Sequence, residues 1–296
     1  MKGGTRGLAT GQVAGIYRRD VGAIRVATLH DGMLSTSFQD VRGADPARCE
    51  AMHLAEYRSV PPQFSCNSFV VETSDALLLI DAGCGTHEPG AGKAAAGLAQ
   101  LGILPDNIDA VLITHMHQDH AGGLVTPEGK AIYPNAELVL HDAELAFWRD
   151  ETILPRLRKS QHFDFDIANK VFSAYADRIR TVKADDDIRG IIAVAVPGHT
   201  PGHVAWLLDS GGQRLLISGD IVHFAAFQFA HPEICVVYDI DSETAAVSRR
   251  RFLDSAASEK LAIAGAHLDF PTYGHVERRV EGGFRYVAEA WTSRLG

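Results

Sequence analysis

The segment 114–120, with the sequence Thr-His-Met-His-Gln-Asp-His, constrains this chain more than any other. It follows an apolar stretch and carries three imidazoles and one carboxylate. Residues two apart in an extended backbone point to the same side, so His115 and His117 can approach one ligand together. Imidazole nitrogens and carboxylate oxygens are the usual protein ligands of Zn²⁺. The spacing therefore predicts a metal site, and Asp119 with His120 at the following bend predicts a second metal beside the first.

Three later segments also consist of an apolar strand that ends in a histidine or an aspartate. His199 stands at the exit of one such strand and is a candidate ligand, whereas His203, four residues later, is more typical of a supporting role. Asp220 ends the next strand and can bridge two cations, although a carboxylate there can also cap the following segment. His267 ends the last strand. Strand ends that converge on one edge are where α/β folds place their sites.

The composition limits the classes of partner. With 46% hydrophobic residues and no low-complexity linker, the 296 residues favour one globular domain, residues 1–296. The net charge of −9 disfavours a nucleic-acid surface. No stretch of about 18 apolar residues predicts a membrane span, and Met1 to Arg6 has no apolar region behind it, so we expect a cytoplasmic protein. The four cysteines show no paired spacing, so we expect no disulfides and interpret Cys84 as a small buried side chain.

These four segments resemble the metallo-β-lactamase superfamily, and the resemblance extends from about Cys66 to Tyr273. It implies an α/β fold, a four-layer αβ/βα sandwich with two metals at one edge. The segment 74–83 is similar to the superfamily's early strand ending in Asp-x-Gly, whose aspartate, here Asp81, holds the metal loops by hydrogen bonds. Segments 143–148, 219–229 and 264–275 are similar to methyl parathion hydrolases, a branch that also contains N-acyl-homoserine lactonase-like enzymes.

Carried over position by position, the resemblance assigns ligands to two divalent cations. The most expected metal is zinc, with manganese, cobalt or iron as alternatives. One cation would be bound by His115, His117 and His199, the other by Asp119, His120 and His267, with Asp220 bridging both. The resemblance also implies that the N-terminal segment 1–60 packs across a homodimer. Within that segment we expect a strand over 23–29, a glycine-containing turn and an irregular or helical stretch to Tyr57.

Two cations bridged by a carboxylate lower the pKa of a shared water, so that hydroxide is available at neutral pH to attack a polarised carbonyl or phosphoryl group. The leaving group then needs a proton. Asp119 can hold that proton, and His223, three residues after Asp220, is a second candidate. The alternative is that His223 only packs against a neighbouring loop.

The substrate must be selected by the pocket walls. The candidate aromatic lining residues are Trp148, Phe163, Phe165, Phe227 and Phe229. After Asp81-Ala82-Gly83 the chain has the polar pair His87-Glu88 where the parathion-cleaving relatives carry an aromatic residue. A polar rim favours a small-molecule lactone or carboxylic ester, with a phosphotriester as the alternative. An iron-dependent oxidoreductase and a non-catalytic metal-binding module are the other two hypotheses.

Overall fold

The computed structural model describes residues 15–293. Its strands are β1 (Gly15–Val21), β2 (Ile24–Ser35), β3 (Val41–Arg42), β4 (Gln63–Glu72), β5 (Leu77–Ile80), β6 (Ala110–Leu112), β7 (Glu137–His141), β8 (Ile179–Val182), β9 (Asp187–Ile188), β10 (Ile191–Ala195), β11 (Val204–Ser210), β12 (Gln213–Ile217), β13 (Cys235–Val236), β14 (Ala262–Ala264), β15 (Gly274–Arg278) and β16 (Phe284–Ala288). Its α-helices are α1 (Pro46–Ala55), α2 (Ala94–Gln100), α3 (Gln118–Ala121), α4 (Asp142–Arg149), α5 (His162–Ala174), α6 (Ala225–Gln228) and α7 (Ser242–Glu259). Its 3-10 helices are Phe38–Asp40, Pro105–Asn107, Gly122–Leu124, Glu151–Arg156, Lys159–Gln161 and Ala176–Arg178.

The strands form two large sheets. The first has the order β1-β2-β4-β5-β6-β7-β8, and the second has the order β16-β15-β14-β12-β11-β10-β9. In the first sheet β5 to β8 are parallel and form one end of the sheet, and in the second β12 and β14 are parallel with antiparallel strands on either side. Strands β3 and β13 pair separately. Because parallel strands all run in one direction, the loops after β5 and β6, and likewise those after β12 and β14, leave their sheet at one edge.

Three layers of apolar side chains lie on and between the two large sheets, and a further apolar cluster, which includes Phe64 and Phe227, packs beside β3 and β13. Leu78 and Ile80 of β5 pack between the sheets against residues such as Trp206, whereas Leu79 points to the opposite face and packs among α2, α4 and α5. The outer face of the second sheet packs on α7 through side chains such as Phe252. This arrangement confirms the expected αβ/βα sandwich. Because each sheet is buried on both faces, its central strands are apolar along their whole length.

The N-terminal part of the chain corrects one expectation. The predicted turn after residue 29 does not exist, because β2 continues to Ser35 and absorbs Gly32 in a bulge opposite β4. At Gly32 an added Cβ would lie 2.3 Å from the carbonyl oxygen of Gly90, so glycine allows the loop to approach there. The expected helical stretch before Tyr57 is α1.

The four cysteines are unpaired, as their spacing in the sequence predicts. All four cysteines are free and buried, and the Sγ atoms of Cys66 and Cys84 lie 4.0 Å apart. Among residues 15–293, none of the helices has the length and apolar character needed to cross a membrane.

Candidate metal centre

Four loops meet at one edge of the two sheets. Val204 donates its backbone N–H to the carbonyl of Thr114 (3.0 Å), and Ala266 donates to the carbonyl of Gly219 (3.3 Å). The side-chain amide of Asn67 also donates from Nδ2 to the carbonyl of Ala266 (2.9 Å). These hydrogen bonds join segments that are far apart in the sequence, so the loop conformations depend on one another.

A first cluster of possible ligands contains His115, His117, His199 and Asp220, all of them buried. The Nδ1 atom of His117 lies 3.0 Å from Nε2 of His115 and 2.9 Å from Nε2 of His199. The Oδ2 atom of Asp220 lies 3.3 Å from Nε2 of His199 and 3.7 Å from Nε2 of His115. Four ligand atoms therefore surround one point.

A second cluster contains Asp119, His120, His267 and again Asp220. The Nε2 atom of His267 lies 3.3 Å from Oδ2 of Asp119 and 3.0 Å from Oδ2 of Asp220. The Nε2 atom of His120 lies 3.1 Å from Oδ1 of Asp220 and 3.6 Å from Oδ2 of Asp119. Asp220 is thus the residue that the two clusters share.

Asp220 reaches this position through a backbone that requires glycine before it. Gly219 has a φ of +53°, and a Cβ there would lie 2.5 Å from Nε2 of His203. The Asp220 backbone N–H donates to that same nitrogen (3.2 Å), so His203 fixes the loop and stands outside both clusters. Burial favours a protonated Asp220, but the imidazoles of His120 and His267 hold the pKa of its carboxyl well below the usual range.

Asp81 supports the histidine segment from behind. Its carboxylate accepts hydrogen bonds from the backbone N–H and the hydroxyl of Thr114 (2.8 Å each), and it contacts Nδ1 of His120 at 2.8 Å. Its φ of +55° is a conformation that non-glycine residues seldom adopt. Because Nδ1 of His120 is held by this carboxylate, Nε2 is the nitrogen that faces the cluster.

Two further histidines are oriented in the same way. Nδ1 of His199 lies 2.8 Å from Oδ1 of Asp239, and Nδ1 of His267 lies 2.8 Å from the carbonyl of Ser65. Burial opposes ionisation of Asp239, but His199 and Arg249 lower the pKa of its carboxyl to about 2. In each case the partner of Nδ1 leaves Nε2 free to bind a metal.

The residues fit a divalent cation. Tetrahedral ligands at about 2.0–2.1 Å from zinc stand about 3.3 Å apart, and the separations in the two clusters run from 2.9 to 3.7 Å. The Nε2 atom of His120 and the Oδ1 atom of Asp220 are buried, and neither has a hydrogen-bond partner in residues 15–293. Buried polar atoms are normally paired, so their mutual approach at 3.1 Å without hydrogen-bond geometry is typical of two ligands that converge on a cation.

Glu144 on α4 joins the two histidine loops. Its buried Oε1 accepts hydrogen bonds from the backbone N–H of Met116 (2.8 Å) and from Nε1 of Trp148 (2.7 Å). Its Oε2 accepts from the hydroxyl of Thr200 (2.6 Å) and from the backbone N–H of Gly202 (3.0 Å). The two oxygens thus hold the loop that carries His115 and His117 against the loop that carries His199.

The clusters form the floor of an open cavity of about 320 Å³. The rest of the lining contains both apolar and polar side chains, namely Leu34, Ser35, Phe64, Glu88, Gln118, Ser160, Gln161, Asp164, His223 and Tyr238. The cavity can therefore hold a small molecule directly above the possible metal ligands.

Comparison with known proteins identifies the family. The model of the metallo-beta-lactamase superfamily matches residues 61–267, which include every ligand of both clusters. The chain belongs to this superfamily. A probable metallo-hydrolase of Mycobacterium tuberculosis is 27% identical over 219 residues, an alignment that covers 64% of this chain and 68% of that protein.

Two solved structures are similar over nearly the whole chain. The hydrolase AbOPH of the beta-lactamase superfamily has 29% identity and a TM-score of 0.89, covering 96% of this chain and 100% of that one. AidC, a dizinc quorum-quenching lactonase, has 23% identity and the same TM-score, covering 95% and 99%. At 23% identity, the similarity to AidC shows the fold alone. The superfamily match and the metallo-hydrolase relatives support the assignment of a hydrolase.

The structure corrects the expected aromatic lining. Trp148 and Phe227 are completely buried and do not line the cavity, since Trp148 packs behind His117 with a ring distance of 5.8 Å. Phe163 and His87 contact one another at a ring distance of 5.6 Å and also lie outside the lining residues. The indole N–H of Trp148 needs a buried acceptor, and Glu144 supplies it, so the ring is fixed in the core.

Two other candidate lining residues, Phe165 and Phe229, are also buried in the apolar layers and do not line the cavity. Phe64 lines the cavity and contacts His223 and His267 at ring distances of 5.6 and 5.3 Å. Tyr238 also lines it. Phe64 lies near the start of β4 in a run of buried residues and Tyr238 lies in a turn, so neither has a local pattern that marks it as a cavity residue.

His223 faces the cavity beside Asp220. Its Nε2 lies 3.1 Å from Oδ2 of Asp220, and its ring lies 4.9 Å from the ring of His199. Burial lowers the pKa of His223 to about 4, so the imidazole is neutral at pH 7 and can donate only one ring N–H. His223 thus lies beside Asp220 and also packs against Phe64 and Tyr238, so its catalytic role stays a prediction.

Proposed function

We propose that this protein is a binuclear metal-dependent hydrolase that cleaves a lactone or a carboxylic ester. The observation that carries the proposal is the single carboxylate, Asp220, shared by two ligand clusters at the floor of an open cavity. The seven residues of the two clusters would hold two divalent cations, most readily zinc. When bound, such cations supply Lewis-acid polarisation of a carbonyl oxygen and a water of lowered pKa.

The protein's own residues orient the site and manage protons. Asp81, Asp239 and the carbonyl of Ser65 keep the Nδ1 atoms of three histidines protonated, so that their Nε2 atoms face the centre. Asp119 lines the cavity, and we infer that its carboxylate accepts a proton and returns it to the leaving oxygen. We infer that a ring N–H of the neutral His223 donates a hydrogen bond that stabilises the leaving oxygen.

The cavity lining suits a substrate with both an apolar and a polar part. Leu34, Phe64 and Tyr238 can contact an acyl chain, whereas Gln118 and Asp164 can contact a polar head group. The similarity of the fold to AidC, a lactonase, and to AbOPH, a hydrolase, agrees with this proposal. An uncharged aryl phosphotriester, as in the methyl parathion hydrolase branch, is the second candidate, because the resemblance in segments 143–148, 219–229 and 264–275 favours it.

The first experiment is elemental analysis of the purified chain, followed by a rate screen with that metal restored. The screen compares acyl lactones, aryl esters and a methyl phosphotriester at equal concentration. About two zinc-like ions per chain with lactone or ester turnover is the expected result. A phosphotriester turned over as fast as any lactone or ester contradicts the substrate assignment. One iron per chain favours an oxidoreductase, and two metals without turnover favour a binding module.

A further inference from the structure

One arginine of α7 is buried in the protein. Arg249 is 1% exposed, whereas the next two residues of the helix, Arg250 and Arg251, are exposed. Arg249 does not line the cavity above the two clusters. Burial of a charged group costs free energy unless its surroundings compensate the charge. The guanidinium therefore stabilises the particular arrangement of the chain in which acceptors surround it.

These acceptors lie in the segment that connects β12 to α7. Nε of Arg249 donates to the carbonyl of Ile221 (2.6 Å), and Nη1 donates to the carbonyls of Pro232 (2.7 Å) and Ile234 (2.9 Å). The other terminal nitrogen, Nη2, lies 3.9 Å from Oδ2 of Asp239, so that this carboxylate is an ion-pair partner. A guanidinium presents its N–H donors in a rigid planar fork. The four contacts therefore fix separate parts of the segment relative to one another.

Asp239 connects Arg249 to the first cluster. The Oδ1 atom of Asp239 lies 2.8 Å from Nδ1 of His199, and its Oδ2 accepts the backbone N–H of Val236 (3.1 Å). Arg249 faces Oδ2 and also holds the carbonyl of Ile234, just before Val236. The position of the carboxylate that orients His199 thus depends on the fork of Arg249.

The histidines of the second cluster are held by different partners. Nδ1 of His120 contacts Asp81, and Nδ1 of His267 contacts the carbonyl of Ser65. Ser65 belongs to β4 and Asp81 directly follows β5, both in the first sheet, whereas α7 packs on the outer face of the second. A change at Arg249 should therefore affect the two clusters unequally.

The shared ligand depends less directly on Arg249. Ile221, whose carbonyl accepts the Nε–H of Arg249, follows Asp220 in the chain. The backbone N–H of Asp220 itself donates to Nε2 of His203 (3.2 Å), and a change at Arg249 leaves this hydrogen bond in place. The main effect should therefore fall on His199.

We propose that Arg249 is a positioning residue of the metal centre. It holds the carboxylate of Asp239 against His199 and thereby sets the affinity for one of the two cations, the one bound by His115, His117 and His199. The inference rests on the two-cation centre of the proposed function. Arg249 contacts neither the substrate nor the cations and acts from the face of the second sheet that packs on α7.

The substitution Arg249→Lys keeps the charge and removes the fork. An ammonium group cannot donate in one plane to the carbonyls of Ile221, Pro232 and Ile234 together, so Asp239 loses its fixed neighbour. Arg251→Lys is the matched control, because Arg251 is an exposed residue of the same helix. Arg249→Met removes the charge as well and should show the larger effect.

The first measurement is stepwise Zn²⁺ binding to the full chain in competition with a chromophoric chelator. His199→Ala and His267→Ala identify which binding step belongs to which cluster. Arg249→Lys should weaken the step that His199→Ala removes by about tenfold and change the other by less than about threefold. Arg251→Lys should change neither step. A residue that only stabilised the fold would weaken both steps alike.

The second measurement needs no metal. In NMR spectra of the metal-free chain with isotope-labelled histidine, the Nδ1–H proton that His199 shares with Asp239 should give a downfield signal that is absent from His199→Ala. The signal should persist in the wild type and in Arg251→Lys. In Arg249→Lys it should move upfield or broaden by exchange with water.

Equal weakening of both binding steps, unchanged affinity at both, or an unchanged His199 signal in Arg249→Lys overturns the inference. If neither Arg249 variant folds, the wild type decides. Coupling between two sites is reciprocal, so the Nε–H of Arg249 should exchange with water more slowly once Zn²⁺ is bound, and an unchanged rate overturns the inference. A wild type that binds fewer than two cations contradicts the proposed function, and the His199 signal then decides the role of Arg249.

Discussion

Replacing Glu144 by glutamine should loosen both histidine loops at once. The glutamate accepts four hydrogen bonds, two on each oxygen, and every donor is fixed by the backbone or by packing except the hydroxyl of Thr200. Glutamine has a single amide oxygen, so its NH₂ group must face one pair of donors. The less costly orientation turns NH₂ toward Thr200, whose hydroxyl can rotate and accept, and leaves the N–H of Gly202 without an acceptor.

The expected loss follows from this one unpaired group. A buried donor without a partner costs about 1–3 kcal/mol, and loss of charge assistance at the remaining bonds adds to it. Burial raises the pKa of Glu144, because the charged carboxylate is poorly solvated there, and a neutral amide avoids that cost. The net expectation for Glu144→Gln is a decrease of about 2 kcal/mol in the free energy of unfolding, together with a 10–100-fold weaker metal affinity.

Urea unfolding of the chelated protein measures the stability term, and competition with a chromophoric chelator measures the metal affinity. Glu151→Gln is the control, since Glu151 is exposed just after α4 and should change neither quantity. If Glu144→Gln keeps the wild-type urea midpoint and the wild-type metal affinity, Glu144 does not hold the two loops together.

Three further results are expected. Asp220→Ala should lose turnover and retain less than one metal per chain by elemental analysis, because both clusters lose their shared ligand; two retained metals with full activity would falsify the bridging assignment. His223→Ala should slow alkyl esters more than p-nitrophenyl esters, which need no help at the leaving oxygen, and an equal effect on both excludes the donor role. Burial raises the pKa of Asp164 to about 7, so in metal-free protein its neutral form contributes stability that is full below pH 3.8 and is lost as the pH rises through about 7. Asp164→Asn should therefore gain about 1–2 kcal/mol relative to the wild type between pH 5 and pH 8.5, after allowance for screening by water in the cavity. A stability difference in urea that does not change with pH contradicts the buried-carboxyl account.

The possible metal ligands could be predicted from the sequence because their signal is local. Each stands directly after an apolar strand, and His115, His117, Asp119 and His120 also have a spacing that few other functions explain. Strand ends at one edge of a sheet lie near one another, because the strands are hydrogen-bonded side by side. The structure brings all seven predicted ligands together for this reason, and the same apolar runs predicted the layered sheets.

The supporting residues could not be predicted, because their partners are distant in the sequence. Asp239 contacts His199 across 40 positions, and Glu144 reaches Thr200 across 56. The local sequence around a glutamate on a short helix does not reveal whether that glutamate is buried or exposed. An aromatic residue is likewise as compatible with the core as with a cavity wall. The sequence around Trp148 fits a cavity wall as well as the core, and only the hydrogen bond from its N–H to Glu144 decides for the core.

The sequence by itself therefore determined the family resemblance, the layered fold and the set of residues that could bind metal, since these depend on patterns within single segments. Only the tertiary structure decided which nitrogen of each histidine faces the centre, which residues line the cavity and which buried carboxylates hold the loops of the two clusters. Those properties depend on burial and on hydrogen bonds between loops, and neither exists until the two sheets have packed.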